Sequence, residues 1–315
     1  MVEAELSADR RAGLRDQVIA GTCVVGCGGV LGLNFALLKV ALRAAGPITV
    51  QALATVLTGA ILAAYLFAKR SRYRVSPREL GWTATAGLLL GVCGSCATAF
   101  GVERIAAGTA ALILATTPVL TVLVRAGLFR QRPRRAEVGG CALGLVGVVI
   151  VVWGSSKAGH GELIGGLLVL LAALLWALAL IVMRERLARV PPDVVVAWEL
   201  IVSSPVLLVI AYTSEGVNVR WSLAFLGAVV YLGLAGKGLS FLLQMIAVRR
   251  GSDVLASATA FLTPPFGVFF GAVLLAEHVG ALEVLGALVI LAGVAAIISA
   301  GPPRNSVVGR SPGGT

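Results

Sequence analysis

About ten stretches of this sequence stay apolar for roughly 18 or more residues, long enough at ~1.5 Å per residue to cross a bilayer core as helices. They centre on residues 18–42, 48–68, 81–100, 105–128, 136–154, 162–183, 194–212, 221–246, 254–276 and 280–299. Few folds can hold so many. In a water-facing protein each helix would carry a polar face, and these stretches carry none. Only 13% of the residues are charged, against about 25% in soluble domains, so too little polar surface exists to coat a globule. The expected fold class is an all-α membrane protein of about ten transmembrane helices.

The stretches repeat. The segment from Ser257 to Gly293, shifted back by 146 residues, falls without a gap on an earlier one. Thr263 lands on Thr117, Pro264 on Pro118, Glu283 on Glu137, Gly286 on Gly140, Gly293 on Gly147 and Arg250 on Arg104. These matches are Pro, Gly, Thr and charged positions, which apolar composition alone does not align. The chain therefore reads as a duplicated unit, 17–154 and 162–300, with the boundary in the polar run 155–162. Residues 1–16 read as a polar cytoplasmic leader, disordered or interfacial, and 301–315 as a disordered cytoplasmic tail. No cleavage site ends the first stretch, so it reads as a retained span rather than a signal peptide.

The net charge of +11 would fit a nucleic-acid partner only if it were clustered on one face. It alternates instead. Arg10, Arg11 and Arg15 precede the first span. Lys69, Arg70, Arg72, Arg74 and Arg78 follow the second; Arg130, Arg132, Arg134 and Arg135 follow the fourth. Arg184, Arg186 and Arg189 follow the sixth, Arg249 and Arg250 the eighth, and Arg304 and Arg310 lie in the tail. The other connections hold only Arg43, Arg104, Lys157 and Arg220. This is the positive-inside pattern, with both termini cytoplasmic in a cell (inner or plasma) membrane, and no nucleic acid is needed to explain the charge. Because each repeat holds an odd number of spans, the second copy enters upside down. An inverted repeat of this kind places a substrate site near mid-bilayer between the halves, as in secondary transporters that work by alternating access.

Three stretches resemble a known family. GLNFALLKVAL (Gly32 to Leu42), AALILATTPVLTVL before the first repeat's basic loop, and TPPFGVFFGAVLLAEHVGALEVLGALVILAG are similar to the EamA-type branch of the drug/metabolite transporter superfamily. The resemblance covers residues 17–300. It implies ten helices in two repeats and carriage of small metabolites, amino acid-like compounds or drugs, often outward. Two departures stand out. Glu277 of the second repeat corresponds to Gln131 in the first, and the arginine that the family often places early in the second span is absent around Ala54 and Thr55.

Ionisable residues inside spans are functional candidates, because a charge at mid-bilayer costs ~2.5–3.5 kcal/mol on insertion scales. Glu199 and Lys237 lie on adjacent spans, at depths of roughly 12 and 16 Å from the cytoplasmic ends, and are expected to pair and line the cavity. Lys237 corresponds to Gly91 in the first half, so the repeat unit does not need a charge there to fold. Pro118 and Pro264 interrupt corresponding helices near their centres, with Thr117 and Thr263 able to supply hydroxyls beside the freed carbonyls. They read equally as cavity lining or as packing kinks. Asn34, Trp176, Tyr231 and Gln244 complete the candidate cavity, each with packing as its alternative. Lys39 is expected to snorkel to the outer interface, Glu277 to cap the ninth span in a solvated or gating contact, and Arg125 to reach the cytoplasmic interface.

Metal and redox chemistry find no support. Cys93 and Cys96 have C-x-x-C spacing but lie inside an apolar span, and the two histidines, His160 and His278, sit in loops. A zinc site needs about four ligands. Cys23, Cys27 and Cys141 read likewise as small packing residues. No HExxH, GxSxG or P-loop occurs, so no enzyme activity and no cofactor are expected. The function expected is secondary transport, with protons as a candidate coupling ion. A lipid or lipid-linked sugar carrier on the same fold is the alternative.

Overall fold

The computed structural model describes residues 2–69, 73, 75–128, 130, 133, 135–156, 160–216, 218–240, 243, 259–278 and 280–299. Among these the chain is helical, apart from one isolated bridge between Ala45 and Val219. We number the helices α1 (Val2–Leu42), α2 (Pro47–Ala68), α3 (Pro77–Val102), α4 (Ala107–Leu128) and α5 (Arg135–Ser156), then α6 (His160–Arg186), α7 (Pro192–Glu215), α8 (Leu223–Leu239), α9 (Thr259–Leu275) and α10 (Ala281–Ser299). Six are long and apolar enough to span a membrane: α1 over Val18–Leu42, α2, α3, α4, α6 and α7. Shorter apolar stretches occupy α8 and parts of α9 and α10. Gln244, Arg249, Arg250 and residues 301–315 lie outside the described residues.

Local chemistry sets the helix ends. Proline, whose missing N–H costs nothing in a first turn, opens α2, α3 and α7. Ser76 caps α3 in a reciprocal box with Glu79, and Ser222 caps α8 by accepting from the Phe225 amide at 3.1 Å. Gly216, at φ 67°, ends α7 in the left-handed conformation. The backbone of residues 2–16 continues α1 without a break. Ala, Glu, Leu and Arg dominate this segment and all favour helix.

Two helices contain widened π turns: Gly87–Gly94 in α3 and Tyr231–Leu239 in α8. Shifted back by 146 residues, the second becomes 85–93 and overlaps the first. Such turns are rare and tend to mark functional positions.

Packing joins helices from different halves of the sequence. The most extensive contacts are α5 with α10, α1 with α9, and α2 with α7. The α5–α10 seam is built on glycine. A Cβ added to Gly293 would lie 2.6 Å from the Gly140 carbonyl oxygen, and one on Gly147 would lie 2.8 Å from that of Gly286. Residue 140 thus faces 293 while 147 faces 286, so the two helices run antiparallel. Val148, Val151, Ile290 and Val294 fill the seam around the glycines. On α1, Gly28 and Gly32 let α9 approach in the same way, against Leu262 and Phe266.

Candidate functional site

The two π turns lie beside the charges inside the helices. Glu199, on α7, is only 4% exposed and reaches across to the first π turn. Added Cβ atoms on Gly87 and Gly91 would lie 3.4 Å from its Cγ and 3.1 Å from its Oε1, respectively. The carboxylate fits because those positions carry no side chain. Ser203, one turn on, spends its hydroxyl on the Glu199 carbonyl at 2.7 Å and the Gly87 carbonyl at 3.1 Å. That locks α7 to α3, and among the described residues the Glu199 carboxylate makes no hydrogen bond.

Lys237 belongs to the second π turn. Its ammonium donates to the Thr55 hydroxyl on α2 at 2.6 Å, and Thr55 is completely buried. Among the described residues Lys237 closes its contact on α2 while Glu199 packs on α3. The π turn aims the lysine at α2, its nearer neighbour. Thr55 escaped the sequence reading as a site residue, although it lies where the family resemblance implies an arginine. Here α8 delivers a cation to that place.

The other candidates divide. Asn34, on α1, sets its Oδ1 against Gly236, the residue before Lys237, and that oxygen is buried without a hydrogen-bond partner. Trp176, on α6, packs its ring against Gly94 in the first π turn, and its Nε1 is likewise buried and unpartnered. Tyr231 donates its hydroxyl to the Val30 carbonyl at 3.1 Å, tying α8 to α1. An acceptor and a donor thus stand free around the two charges.

At Pro118 the carbonyl that the proline frees is re-satisfied locally. Pro118 cannot donate to the Leu114 carbonyl, and the Thr117 hydroxyl takes that carbonyl at 2.6 Å. Thr263, before Pro264, donates to the Thr259 carbonyl at 2.9 Å. Both hydroxyls are used within their own helices, and the Thr117 hydroxyl takes the carbonyl that Pro118 frees.

One further expectation is corrected at the helix ends, and two residues gain partners. Lys39 does not snorkel free: its ammonium donates to Glu277 Oε1 at 2.7 Å and to the Ile105 carbonyl at 2.8 Å. Of the two alternatives expected for Glu277, solvated or in contact, the structure has the contact: its side chain is 12% exposed and its Oε2 accepts the Ala107 amide at 2.8 Å. Arg125 pairs with Glu185 at 3.2 Å. In each case tertiary contact supplies the partner that a single helix could not reveal. Glu215, also unnoticed in the sequence, accepts the Ile48 and Thr49 amides at 2.9 and 2.8 Å and the Thr49 hydroxyl at 2.7 Å.

Apolar helices packed around buried charges and unpartnered polar atoms define a multi-pass membrane protein of the carrier class. The EamA-like transporter family matches the chain twice, over residues 20–153 and 163–299. The protein belongs to this family, the EamA type of the drug/metabolite transporter superfamily, and is a transporter rather than an enzyme. Among curated relatives, a "Probable amino-acid metabolite efflux pump" of Salmonella typhimurium is 26% identical over 274 residues, covering 84% of this chain and 90% of the relative. The "Uncharacterized inner membrane transporter YedA" of Escherichia coli K12 is 26% identical over 268 residues, covering 84% and 86%. A solved crystal structure superimposes with a TM-score of 0.62 at 23% identity, covering 88% of this chain and 95% of the other. That likeness bears on the fold alone.

Proposed function

We propose that this protein exports a small dipolar metabolite of the amino-acid kind by alternating access between two inverted five-helix repeats. The observation that carries the reading is that Lys237 gives its ammonium to the neutral Thr55 hydroxyl while the Glu199 carboxylate lies against Gly91. A buried pair in direct contact would neutralise itself. Among the described residues the carboxylate has no hydrogen bond and the ammonium has a neutral one, which leaves each charge for a ligand to answer. A substrate bearing an ammonium and a carboxylate answers both, and Trp176 Nε1 and Asn34 Oδ1 offer a further donor and acceptor. Such a ligand replaces the solvation that burial removed from each charge, which makes its binding favourable at depth.

The packing supports the inverted arrangement. α5 and α10 occupy equivalent places in the two repeats yet run antiparallel, and exchanging the halves turns the α1–α9 contact into α6–α4 and the α2–α8 contact into α7–α3. All four contacts are present. Relatives named as amino-acid metabolite efflux pumps agree with the substrate class. Protons are the coupling ion of this reading, the inner membrane its location, and the basic loops and both termini face the cytoplasm.

The test is counterflow into liposomes of purified protein, comparing a labelled amino acid with its decarboxylated amine and its deaminated acid, with and without a pH gradient. The dipolar compound is expected to exchange and the singly charged ones to fail. Glu199→Gln and Lys237→Gln proteins that exchange at the wild-type rate would overturn the reading.

A further inference from the structure

The pairs Lys39–Glu277 and Arg125–Glu185 sit at opposite ends of α4. At its start, Lys39 holds the Ile105 carbonyl and Glu277 holds the Ala107 amide. At its end stands Arg125, 18 residues after Ala107 and roughly 27 Å along the helix. One pair joins α1 to the end of α9, the other α4 to the end of α6.

The repeat register relates them. Lys39 shifted by 146 residues is Glu185, and Arg125 shifted by 146 is Gly271. A Cβ added at Gly271 would lie 2.6 Å from Glu277 Oε2. The Glu277 carboxylate therefore fills the place in the second repeat that the Arg125 side chain leaves from in the first. Both contacts join the two repeats, and the register makes them equivalents of each other with the signs exchanged. Backbone geometry is committed to this arrangement: Ala276 takes φ 53°, unfavourable for a residue with a Cβ, and the Glu277 amide bonds back to the Gly271 carbonyl at 3.2 Å.

The two contacts are not equally tight. Lys39 and Glu277 are 25% and 12% exposed and share two additional bonds to the α4 start. Arg125 and Glu185 are 16% and 44% exposed and meet through one long contact, with Arg125 Nε buried and unpartnered.

We infer that these pairs are reciprocal latches that close opposite ends of the transport pathway in turn, and that this structure has the Lys39–Glu277 end latched and the Arg125–Glu185 end loosened. The inference rests on the alternating-access reading but needs no transported substrate to test. The readout is site-resolved labelling of Cys96, a half-buried thiol on α3 near Lys237, by a membrane-impermeant thiol reagent applied separately to each face of oriented vesicles. Lys39→Gln is expected to raise labelling several-fold from the face at the Lys39 end. The charge-exchanged K39E/E277K protein is expected to return it to the wild-type level, and Arg125→Gln to raise labelling from the Arg125 end instead, less strongly. A merely structural pair would lower the melting temperature without moving the sidedness of labelling. Unchanged labelling in Lys39→Gln, a rise from the opposite face, or no recovery in K39E/E277K overturns the inference. Because no substrate is used, loss of the dipolar-substrate reading would leave this result standing.

Discussion

Lys237 holds its ammonium 2.6 Å from the hydroxyl of Thr55, a partner that satisfies one hydrogen bond without cancelling the charge. Thr55→Val keeps the shape and removes that acceptor. It is expected to lower stability by about 1.5–3 kcal/mol, the range for a hydrogen bond to a charged group, and Thr55→Ser to recover most of it. Thermal unfolding in detergent measures both; equal melting of wild type and Thr55→Val would show that the bond contributes nothing.

Transport depends on the two buried charges separately. Single Glu199→Gln and Lys237→Gln proteins are each expected to lose at least about tenfold in exchange, equivalent to ~1.4 kcal/mol of binding. Their double variant should fall less than the product of the two, because they serve one ligand. Initial rates of counterflow decide it, with additive losses counting against a shared substrate.

Glu215 closes the start of α2 with three hydrogen bonds. Glu215→Gln retains one acceptor oxygen and loses the charge facing the helix N-terminus. A loss of about 1 kcal/mol in stability is expected. Equilibrium unfolding of the variant beside wild type gives the number, and no loss would mean that the amides are served equally well by the neutral side chain.

Gly293→Ala places a methyl group against the Gly140 carbonyl in the α5–α10 seam. Overpacking there is expected to cost about 1–3 kcal/mol. Gly139→Ala on the same α5 meets nothing within 4 Å and should change stability by no more than ~0.5 kcal/mol. Similar melting of the two variants would refute the close-approach account of this seam.

Much of the site was readable one residue at a time. Glu199, Lys237, Asn34 and Trp176 stood out as polar groups in apolar spans, and Gly91 as the uncharged equivalent of Lys237. Their partners were not readable. Thr55 looks like any small hydroxyl in a membrane helix, and Glu215 like an ordinary loop acid. The expected Glu199–Lys237 pair followed from depth along each helix, but depth leaves the azimuth of the side chain free. The π turns set that azimuth, and no sequence periodicity announced them.

The sequence by itself determined the membrane class, the duplication and the family, because hydropathy and repeat register are properties of order along the chain and survive without coordinates. Tertiary structure alone decided which charges meet. Lys39 and Glu277 lie 238 residues apart, and an ion pair depends on distances of a few ångströms in three dimensions. Helix rotation and the glycine-lined approach of α9 to α1 fix those distances.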